Sequence, residues 1–262
     1  MGLQDEREDL LALLEFEQGR LAAHPPIARL GELCDYLGEL HRANAACCVL
    51  LYGDSEAFAA ELARSAGVRA HYLRRCAAES GHRDLHLAVS NGPGFFDALA
   101  ARAFPLATEI AALSPEAWAE DAEYEDDYCF YRFFHLYIRQ DPGLHGQLGD
   151  LLARFERALE GQPSAGLAIC HALLELNQDA FDEAFEDLLD ERAAELEQDA
   201  TLTFNDPIVY HAKRKVFTLG LGVLNVADRA GLRTLPEYRY CPFLCRLPVE
   251  PRPPGGVNRA PR

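Results

Sequence analysis

The stretch EYEDDYCFYRFFHLYIR, residues 123–139, constrains the fold more than any other part of the chain. An acidic run from Glu116 to Asp127 holds seven carboxylates in twelve residues and no basic residue. It passes without a linker into Tyr128, Phe130, Tyr131, Phe133, Phe134, Leu136, Tyr137 and Ile138. Carboxylates are favoured in the first turn of a helix, where backbone N–H groups are unpaired and the dipole end is positive. Asp126 and Asp127 are therefore expected to open a helix. The aromatics that follow keep to no single stripe, and a helix apolar nearly all round is buried between neighbours. Such a core helix, with negative charge at its entrance, requires other helices around it.

The rest of the chain supplies them. Residues 7–23 read as a first helix, stopped by His24-Pro25-Pro26, because proline cannot continue the helical hydrogen bonding. From Ile27 to Tyr52, Leu30, Leu33, Cys34, Leu37, Leu40 and His41 recur at steps of three and four. Gly53-Asp54-Ser55 then offers a stop and a cap. Glu56 to about Ala78 is a third helix, with Gly67 as a candidate break. Residues 79–93 are ambiguous: alternating Leu85, Leu87 and Val89 suit a short strand, while a loop or a helix start fits equally. Phe95 to Phe104 reads as a helix ended by Pro105, and Leu106 to Leu113 continues helically. Ser114-Pro115-Glu116 looks like a cap followed by another turn.

The aromatic helix closes at Asp141-Pro142-Gly143. Leu144, Leu148, Leu151, Leu152, Phe155 and Leu159 form a regular stripe, and Ser164 to Leu176 follows as a short helix. Asp179 to about Leu196 is the clearest amphipathic segment, with Phe181, Phe185, Leu188 and Leu189 on one side. Asp182, Glu183, Glu186, Asp187, Asp190 and Glu191 occupy the other. Asn205-Asp206-Pro207 is expected to start a last helix ending at Gly231. Its Gly220 and Gly222 would let another helix approach closely. The segment LPEYRYCPFLCRLP reads as extended. These elements predict an all-α fold: an irregular antiparallel stack of about nine or ten helices with little or no strand. Residues 1–246 are expected to form one domain and 247–262 a flexible Pro/Gly/Arg tail.

Charge narrows the function classes. The formal charge is −17, unevenly placed. Residues 207–262 hold ten Lys and Arg against three Asp and Glu, leaving the first 206 residues at −24. Nucleic-acid binding needs a basic groove, so no nucleic-acid partner is expected. An acidic face instead steers basic protein partners, although acidity also serves solubility alone. The opening MGLQDEREDL lacks an apolar run, so no leader is expected. The longest nearly apolar run, Val216 to Ala227, is too short to span a bilayer. The eight irregularly spaced cysteines fit reduced thiols, and a cytoplasmic location is expected.

No chemical motif matches this surface in information. His82 and His86 have the i, i+4 spacing of metal ligands, but Arg83 stands where a zincin has Glu, and no third ligand is evident. Cys241 and Cys245 are four apart, not the C-x-x-C of zinc ribbons and redox pairs. Asn91-Gly-Pro-Gly94 lacks the Lys-Ser/Thr of a phosphate loop. No catalytic residue, metal site or cofactor is expected, and the chain reads as not an enzyme.

Two segments, EYEDDYCFYRFFHLYI and Val216 to Arg246 with FTLGLGVLNVADRAGL and EYRYCPFLCR, resemble the immunity protein 49 family of bacterial polymorphic toxin systems. The resemblance implies an all-helical, non-enzymatic, cytosolic protein that binds and neutralises a toxin made by the same or a sibling cell. It carries no contact residues over. From charge, the expected contact set is Glu123, Tyr124, Glu125, Asp126 and Asp127 together with Asp182, Glu183, Glu186, Asp187 and Asp190. The partner would be a cognate toxin basic at its contact surface, such as a nuclease-type toxin whose cleft holds phosphates. Two other classes remain open. One is a helical scaffold or regulator binding a peptide in a groove. The other is a metal-dependent helical enzyme with a pocket at Arg132, His135 and His171.

Overall fold

Proline and glycine punctuate the first three helices of the computed structural model, which describes residues 3–79, 84–91, 94–139, 142–199 and 214–247. Helix α1 (Leu3–Ala22) ends before His24, which takes a positive φ of 52°, and the two prolines after it. Helix α2 (Ile27–Tyr52) starts at Pro26 and ends on Gly53, whose φ of 64° is left-handed. The Gly53 N–H donates to the Val49 carbonyl at 3.0 Å, closing the last turn. Asp54 then caps helix α3 (Ser55–Ala78) by accepting from the Ala57 N–H at 2.9 Å. A turn this short lays α2 and α3 antiparallel along most of their length, with α1 on the other side of α2.

The remaining helices are α4 (Gly94–Ala100), α5 (Phe104–Leu113), α6 (Glu125–Tyr137), α7 (His145–Ala158), α8 (Ala165–Glu175), α9 (Gln178–Asp199) and α10 (Thr218–Ala230). Among the described residues there are ten α-helices and no strand. The one β-bridge is isolated, between Tyr238 and Cys241. Helix α4 lies against α3, α5 and α10, while α6 to α9 pack as successive neighbours. One apolar core runs from Leu10 to Cys245.

Several boundaries differ from the sequence expectation. Helix α3 runs through Gly67 without a break. Leu85–Leu87 is a 3-10 turn, not a strand, opened by Asp84 accepting from the His86 N–H at 3.1 Å. Pro105 does not end a helix; it sits in the first turn of α5, where its missing N–H costs nothing. Ser114 is the C-cap of α5 and starts no further helix. The last helix begins at Thr218, after Val216 and Phe217 in non-helical backbone. The Asn205-Asp206-Pro207 start lies outside the described residues, as do His82, Gly92-Pro93, Asp141 and the tail from residue 248. The extended C-terminal segment contains a 3-10 turn at Phe243–Cys245.

Polar groups bind the layers at named points. Asp97, fully buried in α4, accepts from Arg42 Nε at 2.9 and 3.1 Å and from Ser65 Oγ at 2.5 Å. It thus joins α2, α3 and α4 through one carboxylate. Asn225 of α10 donates to the Leu99 and Ala100 carbonyls at 2.9 and 3.0 Å, satisfying the end of α4. The buried Arg69 donates to the backbone carbonyls of His86 and Ala88, clasping residues 84–90 to α3.

Candidate interaction surface

Helix α6 opens as its carboxylates dictate. Tyr124 is the N-cap, in extended backbone, and Glu125, Asp126 and Asp127 form the first turn. Behind them the aromatics pack on each other and on α4: Phe130 stacks on Phe96 at 5.7 Å between centroids, and Phe133 on Tyr137 at 5.4 Å. The helix is thereby fixed as a rigid support for its acidic end.

The side chains of the first acidic set do not all face outward. Glu123 turns inward: its Oε2 accepts from the Ser90 N–H and hydroxyl at 2.8 and 2.9 Å, and its Oε1 from the Ala119 N–H at 3.3 Å. Its carboxylate holds the 84–91 loop in place. Glu125 accepts from Arg154 Nε at 2.6 Å, and that guanidinium also lies over Trp118 and Tyr128. Tyr124 projects outward, 79 % exposed. Asp126 and Asp127 have no ion pair among the described residues. Burial, Asp126, Glu123 and Glu195 together push the Asp127 carboxyl above the usual carboxylate range.

The second set is outward-facing throughout: Asp182, Glu183, Glu186, Asp187 and Asp190 are all exposed on α9. Asp182 accepts from Gln178 Nε2 at 2.9 Å, and Asp190 pairs with Arg239. Among the described C-terminal arginines, Arg246 pairs with Asp228 at 3.0 Å and Arg229 lies over the Phe104 ring.

Two residues of the first set, Asp126 and Asp127, meet two other carboxylates of α9, Glu191 and Glu195, where the sequence did not indicate it. A cleft of about 600 Å³ runs between α6, the start of α8, α9 and the approach to α10. Asp126 and Asp127 stand on one rim, Glu191 and Glu195 on the other. The step of four from Glu183 through Asp187 to Glu191 and Glu195 is visible in the sequence, and it leads α9's acidic stripe into this cleft. That α6 faces it is a tertiary fact with no local signal.

The residues weighed for chemistry take structural places. His135 is 1 % exposed, its ring edge-on to Phe95 at 4.3 Å, with no hydrogen-bond partner on either nitrogen among the described residues. Burial, with the Arg132 and Arg69 charges, drives its pKa down to about 3. Arg132 pairs with Glu116 at 3.4 Å and His171 with Glu156 at 3.1 Å, so the three side chains do not converge. His86 Nδ1 lies 2.5 Å from Asp35. Burial pushes the Cys241 and Cys245 thiols up to about 12, which keeps them protonated.

An aromatic-cored stack of helices whose outward chemistry is carboxylate defines an acidic all-helical module, and no helix of the described residues is long and apolar enough to cross a membrane. The family model for immunity protein 49 matches residues 52–243, from the end of α2 to Phe243, and the chain belongs to that family. Comparison with curated proteins finds no match, and comparison with solved structures finds none.

Proposed function

We propose that this protein neutralises a cognate toxin by binding it directly in the cytoplasm, with acidic surfaces set against a basic face of the toxin. The observation that carries this reading is membership of the immunity protein 49 family across most of the chain. The exposed carboxylates of α9, with Asp126 and Asp127 in the first turn of α6, supply the means. A nuclease-type toxin, whose cleft is basic because it holds phosphates, is the target such a surface suits best. The charge pattern favours fast, steered association, and Tyr124 stands within the acidic turn as an aromatic anchor. In this reading the chain uses no cofactor and performs no catalysis.

Co-expression with the toxin tests the proposal. The wild-type chain should restore growth and co-purify with the toxin as a stable complex. Reversal of the α9 face in E183K/E186K/D187K should weaken binding about tenfold or more, the range that a few interfacial charges command. A wild-type chain that neither binds nor protects would remove the function. Full protection by a chain with both acidic sets reversed would remove the proposed surface.

A further inference from the structure

The cleft between α6 and α9 differs from the open acidic face of α9 in having an apolar floor. Phe130, Phe155 and Leu188 form its base, and Leu159 and Phe217 are only partly covered along its walls. Among the described residues its rim carries four carboxylates, Asp126, Asp127, Glu191 and Glu195, against one guanidinium, that of Arg192. Arg192 is held within α9 by Glu195 at 2.9 Å and lies over the Phe217 ring. Glu191 is committed to the Ala165 N–H at 3.0 Å. Asp126 and Asp127 have no ion pair among the described residues, and Asp127 faces the negative charges of Asp126, Glu123 and Glu195. An incoming cation would relieve that repulsion, and an apolar side chain beside it would cover the partly exposed walls.

Resting on the toxin-binding reading above, we propose that this cleft receives a toxin segment that sets an arginine or lysine next to an apolar side chain. The cation would meet Asp126 and Asp127, and the apolar group would lie on Phe155, Leu159 and Phe217. The open face of α9 would contribute long-range attraction, while the cleft would determine which segment fits. An acidic segment is repelled at the rim, and a purely polar basic one leaves the floor uncovered.

Fluorescence polarisation on the full chain tests this with short labelled peptides. One alternates arginine with leucine and phenylalanine, one arginine with serine, and one glutamate with leucine and phenylalanine. The first should bind about tenfold tighter than either of the others, the step expected from covering a few apolar groups. D126N/D127N should weaken it about fivefold, whereas E8Q/D9N on the exposed face of α1, outside both acidic sets, should leave it unchanged. Equal binding of the serine peptide, indifference to D126N/D127N, or no binding at all would overturn the proposal. So would a dimer in sedimentation that the arginine–leucine peptide dissociates, because the occupant would then be a second copy of this chain. Toxin neutralisation separates the two readings. A D126N/D127N chain that loses the peptide yet binds and blocks the toxin as well as wild type overturns the cleft assignment alone. A wild-type chain that blocks no toxin overturns the reading beneath it.

Discussion

His135 and Asp97 are the residues whose burial has the clearest consequences. The His135 ring is enclosed, neutral and without a hydrogen-bond partner among the described residues, with a folded pKa of about 3. Its unfolded value is about 6.5. As pH falls below 6.5, the unfolded chain takes up a proton that the folded chain refuses, so stability falls with pH until the folded pKa is reached. The slope is at most about 1.4 kcal/mol per pH unit. Substitution H135L should flatten the urea-midpoint profile between pH 6 and pH 4. At pH 7 it should change stability by less than about 1 kcal/mol, since no hydrogen bond is lost. Asp97, unlike His135, is buried with hydrogen-bonding partners, Arg42 and Ser65. Substitution D97N leaves the largely covered Arg42 charge without this carboxylate and should cost about 3 kcal/mol by chemical denaturation.

Among the elements, α10 shows what two glycines at neighbouring positions do. A Cβ at Gly222 would stand 2.9 Å from the Phe96 ring and 3.1 Å from the Phe96 carbonyl oxygen, so this glycine lets α4 lie against α10. Gly220 faces Phe217 and Cys241 instead, and makes room for the chain's own entry into the helix. Substitution G222A should destabilise by about 1–3 kcal/mol through overpacking, read as a lower thermal midpoint. The close approach of α10 to another helix was legible in the sequence as two glycines in an apolar run; which glycine served it was not. Helix bounds were legible where both ends carry punctuation, as with Pro26 and Gly53 around α2. They were misread where one residue serves two purposes: Pro105 suits a stop and a first turn equally, and the neighbouring turn decides. The acidic face of α9 followed from its period. The inward turn of Glu123 did not, because its partners, Ser90 and Ala119, come from loops without a helical period.

At the scale of the whole molecule, charge and core are divided between surface and interior. The aromatic helix that dominates the sequence is almost wholly spent on packing, and its acidic first turn is what it shows to solvent. Part of the negative excess of the first 206 residues appears on the exposed face of α9 and the first turn of α6, while Arg239 and Arg246 are paired within the fold. A field of this kind attracts a basic partner over a distance set by ionic strength, about 8 Å at 0.15 M salt. Attraction at a distance shows in the association rate, whereas close contacts show in dissociation. The rate at which the purified chain associates with its toxin, followed by stopped flow as salt is raised, is therefore the most direct test. The association rate constant should fall at least about tenfold between low and high salt, with the dissociation rate nearly constant. An association rate indifferent to salt would contradict an acidic surface as the means of recognition.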